Sequence, residues 1–194
     1  MIAIYPIIGL LFVAAITPGP NNILVMQASL QGGARSAVLA MFGVISGTMV
    51  LYLIVAISFE QILSFHPYAI NIIAVVGAAY LMYLGGVIAL SKPLDQKNVS
   101  NKFMPTSFKG IAAFQLLNPK AWVLVSTVIA SGRPLMPLEN IAFLMIIVTT
   151  LCLTCWATLG FALSKAIKNP RTHRFVNTVM GSSLILFALA IVAH

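Results

Sequence analysis

The chain has 194 residues, of which 60% are hydrophobic and only 7% are charged. A soluble globular protein carries about 25% charged residues, because water must solvate its surface. The 14 charged residues of this chain, 11 basic and 3 acidic, cannot cover a water-facing surface of this size. The composition therefore excludes a soluble enzyme, a disordered tail and a rod of collagen or coiled-coil type, and it predicts a protein whose solvent is lipid.

Six apolar segments follow one another along the chain, and each is long enough to cross a bilayer. A transmembrane helix needs about 20 mostly apolar residues, and a helix satisfies its own backbone groups in lipid. The sequence thus predicts an all-α membrane protein. Its predicted transmembrane helices 1 to 6 cover 3–28, 37–59, 67–90, 110–131, 140–164 and 174–193. The first segment has no basic residue before its apolar run and is too long for a secretory signal core.

Basic residues concentrate in the loops after predicted helices 1, 3 and 5. These loops hold nine of the 11 basic residues, namely Arg35, Lys92, Lys97, Lys102, Lys109, Lys165, Lys168, Arg171 and Arg174. Arg133 alone lies on the other side, and Lys120 lies inside predicted helix 4. Because basic residues in short loops stay cytoplasmic, both termini are predicted on the outer side of the membrane. The net charge of +8 is then an orientation signal, and nucleic acid is not an expected partner.

A polar stretch divides the chain into two halves. Residues 92–109 are predicted to form a cytoplasmic linker between an N-terminal three-helix repeat, 1–91, and a C-terminal three-helix repeat, 110–194. Both repeats would belong to one integral membrane domain. Because each half crosses the membrane an odd number of times, halves that share a fold must have opposite orientations. Such inverted repeats are typical of secondary transporters.

The first helix of each half is interrupted by a proline motif. Predicted helix 1 contains Thr17-Pro18-Gly19-Pro20-Asn21-Asn22, and predicted helix 4 contains Asn118-Pro119-Lys120. Proline removes a helical hydrogen bond and restricts the residue before it. Asn118 is predicted to cap a new half-helix that begins at Pro119. Broken helices at matching positions indicate a transport site, with a proline kink that touches no substrate as the alternative.

These motifs resemble those of the LysE/RhtB family of amino-acid exporters, over essentially the whole chain. Further matching features are Gly32-Gly33 with Arg35, Gly77-Ala78-Ala79-Tyr80-Leu81, Tyr83-Leu84-Gly85, and Ala121 after Lys120. The resemblance implies a bacterial inner-membrane protein that exports small amino acids or their derivatives on the proton gradient. With the orientation predicted from the basic loops, both termini would be periplasmic. Pro20-Asn21-Asn22-Ile23 and Cys155-Trp156-Ala157 resemble the cysteine/O-acetylserine exporter subgroup. Homoserine/threonine and lysine export remain open.

The residues at the two breaks suit an amino-acid zwitterion. Half-helices that begin near Pro20 and Pro119 expose N–H groups with partial positive charge, which bind carboxylates. Unwound carbonyls near Thr17 could accept hydrogen bonds from an ammonium group, and the asparagine amides can donate and accept. The predicted substrate-binding residues are Thr17, Pro18, Gly19, Pro20, Asn21, Asn22, Asn118, Pro119 and Lys120.

Lys120 is the only charged residue deep in a predicted span. An ionisable residue at this depth indicates function, so Lys120 is predicted to bind the substrate carboxylate or to titrate during coupling. Snorkelling to an interface is the alternative. Glu60 and Glu139 fall at the outer boundary and Asp95 falls in the linker. Proton-driven export would therefore use Lys120, an edge glutamate or the substrate itself.

Two alternatives to export, ion or metal efflux and thiol-redox chemistry, depend on other residues. Ion or metal efflux would need acidic or histidine residues in the spans, and the three histidines are too scattered for a metal site. A membrane thiol-redox protein could use Cys152 and Cys155, although buried cysteine usually behaves as a small hydrophobe. No ATP-binding or hydrolase motif occurs, so no enzyme activity and no cofactor are expected. The Gly43–Gly47 motif favours internal packing over a homodimer seam.

Overall fold

The computed structural model describes residues 4–58, 67–90, 108–167 and 169–192. Within these ranges the ordered elements are helices and no strand occurs, which confirms the all-α prediction for this part of the chain. The seven helices of the described residues are α1 (Ile4–Ile16), α2 (Pro20–Ile57), α3 (Pro67–Leu90), α4 (Phe108–Leu117), α5 (Pro119–Gly132), α6 (Leu138–Ala166) and α7 (Pro170–Val192).

Several of these helices are suited to a membrane. Among the described residues, α2 and α6 are each long and apolar enough to cross one, and α4 with α5 would make a third span bent by 71°. The apolar character predicted from composition is thus present in the folded chain. Whether the helices form six spans in two inverted repeats remains a prediction. Of the predicted linker, 92–109, all but the last two residues lie outside the described part of the chain.

Helix α2 changes direction at Gly33. Its 38 residues would extend about 57 Å as a straight helix, nearly twice the thickness of a hydrocarbon core. Gly33 has φ 68° and ψ −162°, a conformation that side chains with a Cβ rarely adopt. We therefore divide α2 into α2a, 20–32, and α2b, 34–57. The loop expected over 29–36 is wrong, because one glycine makes the turn between two helical segments.

Both predicted helix breaks are confirmed. α1 ends at Ile16 and α2 begins at Pro20, while α4 ends at Leu117 and α5 begins at Pro119. Each proline occupies the start of its helix, where a missing N–H costs nothing. Asn118 caps α5 as predicted, since its Oδ1 accepts a hydrogen bond from the N–H of Lys120 at 3.2 Å.

Pairs of helices approach each other closely where a glycine of one helix faces the backbone of the other. α6 packs along α1 and α2, and α2 also packs along α4 and α5. A Cβ at Gly160 would overlap the carbonyl oxygen of Met26 in α2a, and one at Gly47 would overlap that of Ala112 in α4. Gly43 likewise faces Ile111 of α4. The Gly43–Gly47 motif thus packs within the protomer, as the sequence favoured.

The α3–α7 contact offers a matched test of this close packing. Gly85→Ala is expected to lower the apparent melting temperature by several degrees, because its Cβ would lie 2.6 Å from the carbonyl oxygen of Gly181. Overpacking of this kind costs about 1–3 kcal/mol. Gly86→Ala meets nothing within 4 Å and is expected to leave stability unchanged or slightly higher. Thermal unfolding of both variants in detergent checks the difference, and equal melting temperatures would contradict the packing described.

Candidate functional site

A small cavity with both polar and apolar lining residues lies where the two breaks meet. Its volume is about 40 Å³, which is room for roughly three water molecules. Its polar lining comes from both halves of the chain, namely Asn21, Asn22, Thr48, Asn118, Lys120 and Thr149. Gly19 and Pro20 also line it, so six of the nine predicted residues surround one cavity. Thr17, Pro18 and Pro119 do not line it, although the carbonyl of Thr17 is bound by Lys120.

Side chains satisfy the carbonyls at the end of α1. The last carbonyls of a helix lack an intrahelical partner, and in lipid no water replaces one. Asn22 Nδ2 donates to the carbonyl oxygens of Ala15 at 2.8 Å and Thr17 at 2.9 Å. Trp156 Nε1 of α6 donates to the carbonyl oxygen of Ile16 at 3.1 Å. The first break is therefore fixed by donors on α2a and α6.

Three amide side chains join the two breaks. Asn21 Nδ2 donates to Gln115 Oε1 at 3.0 Å, and Gln115 Nε2 returns a hydrogen bond to Asn21 Oδ1 at 2.9 Å. Asn118 Nδ2 also donates to Asn21 Oδ1, at 3.1 Å. Gln115 is 0% and Asn118 1% exposed. This buried amide cluster couples residues that lie more than 90 positions apart in the sequence.

The two half-helix N-termini differ in their free donors. At α5 the N–H of Lys120 is bonded to the Asn118 side chain, and the next two N–H groups are bonded to the Asn118 carbonyl. At α2 the cap is Gly19, which has no side chain to accept, so the N–H groups of Asn21 and Asn22 lack an intrahelical acceptor. The expectation of an open N-terminus at both breaks is therefore wrong for α5, because Asn118 occupies its donors.

Lys120 reaches across the cavity to the opposite break. Its Nζ donates to the carbonyl oxygen of Thr17 at 2.9 Å and lies 5.9 Å from the centre of the Phe187 ring. Gly19 permits this approach, since a Cβ there would lie 2.9 Å from Nζ. The ammonium group thus rests at the C-terminal end of α1, where the helix dipole places partial negative charge.

The chain matches a known protein family over most of its length. Residues 12–194 match the LysE-type translocator family. The chain belongs to this family. It is therefore a transporter and not an enzyme, and the resemblance drawn from the proline motifs is confirmed.

Individual relatives of this translocator match it over most of its length. It is 28% identical over 184 residues to the cysteine/O-acetylserine efflux protein of Salmonella typhi, and over 185 residues to that of Escherichia coli O1:K1 / APEC. Each alignment covers 92% of this chain and 92% of the relative. No solved structure matches this chain at a significant level.

Sequence reasoning missed three polar residues of the translocator's site. Gln115 was detectable as a lone amide in an apolar segment, three residues before the break. Thr48 and Thr149 line the cavity from α2b and α6, but threonine is common in membrane helices and carried no such signal. Trp122 is a further residue at a break, because its Nε1 donates to the carbonyl oxygen of Leu116 at 2.9 Å.

The two cysteines of the translocator occupy different environments. Cys152 is buried among the core residues of α1, α2b and α5, while Cys155 is exposed, and both are free. Across the described ranges, no three His, Cys, Asp or Glu side chains come together as metal ligands. Neither observation supplies positive support for the redox or metal-efflux alternatives.

Proposed function

We propose that this translocator exports small amino acids or their derivatives from the cytoplasm across the bacterial inner membrane. The observation that carries the proposal is the meeting of two broken helices at one cavity, with an open helix N-terminus and a lysine ammonium group facing it. The named function of the relatives, cysteine and O-acetylserine efflux, supports a small zwitterionic substrate.

The cavity offers complementary groups to each end of a zwitterion. The substrate carboxylate would bind the N–H groups of Asn21 and Asn22 together with the Lys120 ammonium group, since helix N-termini and cations favour anions. The substrate ammonium group would bind the carbonyl of Thr17 at the end of α1. The apolar lining at Leu124 and Leu153 would face a small side chain.

The proposed architecture has six spans in two inverted repeats, 1–91 and 110–194. The spans would be α1 with α2a, then α2b, α3, α4 with α5, α6 and α7. The packing supports this repeat, because corresponding spans make corresponding contacts: α6 packs along both parts of the first span, and α2b packs along both parts of the fourth. α3 and α7, the last spans of each half, pack against each other. Rocking of the halves would alternate access.

The proposed coupling uses the proton gradient. Of the described residues that line the cavity, Lys120 alone is ionisable, so a proton would be carried by Lys120 or by the substrate. The basic loops support the proposed orientation, with both termini in the periplasm. Protons would enter down their gradient and be exchanged at this one site for the zwitterion, and this inward movement would drive export.

Efflux from intact cells tests the proposed function. Cells that overproduce the chain would be loaded with labelled cysteine, O-acetylserine, serine, threonine, homoserine and lysine, and release would be followed with and without a protonophore. We expect faster release of one or more of the small amino acids than from cells with an empty vector, and loss of this excess with the protonophore. Equal release of every amino acid from both cells would overturn the proposal, and protonophore-insensitive release would overturn its coupling.

A further inference from the structure

We propose that the Lys120 ammonium group is a built-in occupant of the substrate's ammonium site, which the arriving zwitterion displaces. This inference rests on the proposed function, because it assumes that the substrate binds between the two breaks. In the described conformation, the transporter would hold its cation site closed with its own side chain. Substrate binding would then be an exchange of one ammonium group for another.

The first support is the position of the ammonium group. Lys120 Nζ donates to the carbonyl oxygen of Thr17, the residue that follows the end of α1. Asn22 Nδ2 donates to the same oxygen, which therefore already has two donors. A carbonyl oxygen has two acceptor positions, so a third donor from a substrate must replace one of these. Asn22 is buried and also holds Ala15, so Lys120 is the donor that can leave.

The second support is the absence of a balancing anion near Lys120. Of the three acidic residues, the described part of the chain includes Glu139 alone. Glu139 lies beyond the far end of α5, where Gly132 meets Ile141, and the helix rise from Lys120 to Gly132 is about 18 Å. Within the described residues Lys120 thus has a carbonyl and an aromatic ring as partners, but no carboxylate in reach.

The third support is the path of the Lys120 side chain. The cavity beside the first break is small, and Lys120 forms part of its lining. Lys120 crosses this space, with its side chain against Gly19. Withdrawal of this flexible side chain from Thr17 would enlarge the cavity beside the open N-terminus of α2. Room for the substrate and release of the cation site would therefore come from the same movement.

The exchange conserves charge and hydrogen bonds. Before binding, the Lys120 ammonium group donates to the Thr17 carbonyl. After binding, the substrate ammonium group donates to that carbonyl and the Lys120 ammonium group donates to the substrate carboxylate. A zwitterion can make both contacts. A simple amine can only compete with Lys120 for the Thr17 carbonyl. A simple carboxylate would draw Lys120 away and leave that carbonyl without a cation. The site would thereby discriminate in favour of amino acids.

Binding to the purified full-length chain in detergent tests this exchange. Three probes are used. L-alanine carries both charges, propionate carries the carboxylate alone, and propylammonium carries the ammonium group alone. Tryptophan fluorescence reports on the breaks, because both tryptophans donate to a carbonyl at a helix break. Wild type, Lys120→Met and Lys120→Gln would be titrated with each probe, with Lys165→Met as a control that removes an exposed lysine.

We expect both Lys120 variants to bind propylammonium about tenfold or more tightly than wild type. The reason is that the Thr17 carbonyl becomes available for one hydrogen bond from a charged donor. The same variants should lose propionate binding, and Lys165→Met should behave as wild type. Equal propylammonium affinity in wild type and both variants would overturn the exchange while leaving the proposed function intact. Undiminished propionate binding in the variants would instead remove Lys120 as the carboxylate partner in the proposed function. If Lys120→Met does not fold, Lys120→Gln decides the result alone.

Discussion

Lys120→Met is expected to reduce amino-acid export to the level of cells without the transporter, a fall of about a hundredfold in rate. The loss follows from removal of the Lys120 ammonium group, the one cation among the described residues that line the cavity, since a hydrogen bond to a charged group contributes about 1.5–3 kcal/mol. Methionine lacks the terminal ammonium group but keeps an unbranched apolar stem, so packing of that stem against Gly19 should persist. Efflux of labelled cysteine and serine from overproducing cells measures the effect.

Lys165→Met is the matched control for this experiment. Lys165 lies at the exposed end of α6, with its Nζ 4.3 Å from the centre of the Phe161 ring. The substitution removes the same charge outside the cavity and is expected to retain export. Detergent extraction and gel filtration of both variants would show whether they insert and remain monodisperse. Normal efflux from cells with inserted Lys120→Met would refute the proposed role of Lys120.

Asn22→Leu is expected to abolish export and also to destabilise the protein. Asn22 is 4% exposed and its amide donates to two carbonyls at the first break. The substitution leaves the Ala15 carbonyl without its donor at a cost of about 1–3 kcal/mol, because lipid provides no water to compensate, whereas the Thr17 carbonyl keeps the Lys120 donor. Asn22→Asp should fail in the same way, because the isosteric carboxylate cannot donate and would repel both oxygens. Thermal unfolding in detergent and efflux together measure the two effects.

Asn140→Leu serves as the control for Asn22. Asn140 is exposed near the start of α6, so its replacement removes an amide outside the break. We expect this variant to match wild type in melting temperature and efflux. A stable and active Asn22→Leu protein would mean that the carbonyl of Ala15 does not depend on the Asn22 amide, and the account of the first break would have to be abandoned.

The helix breaks could be predicted from sequence because their causes are local. Proline removes a backbone donor wherever it lies, and Asn118 before Pro119 is a strong helix start. Lys120 stood out for an equally simple reason, since no other charge lies deep in a predicted span. The family motifs then indicated that both breaks serve transport. These properties depend on a few neighbouring residues and on composition, so one sequence was sufficient.

The remaining features depend on contacts between distant residues. The pairing of Gln115 with Asn21 spans 94 positions, and the approach of Thr48 and Thr149 to the cavity depends on how α2b and α6 pack. The turn at Gly33 was misjudged because a glycine in a polar stretch is compatible with either a loop or a single-residue turn. Sequence also could not show that Asn118 uses up the donors of α5, since the capping geometry decides it.

The unequal capping of the two half-helices affects how a substrate could be oriented. Two inverted repeats with identical sites would accept a zwitterion in either of two opposite orientations, related by the pseudo-twofold axis. Here the capping by Asn118 leaves the N-terminus of α2 as the proposed anion site, and Lys120, the one lysine among the described lining residues, extends from α5 toward α1. The proposed site therefore distinguishes the carboxylate end of an amino acid from its ammonium end. The substrate would pass through it in one fixed orientation.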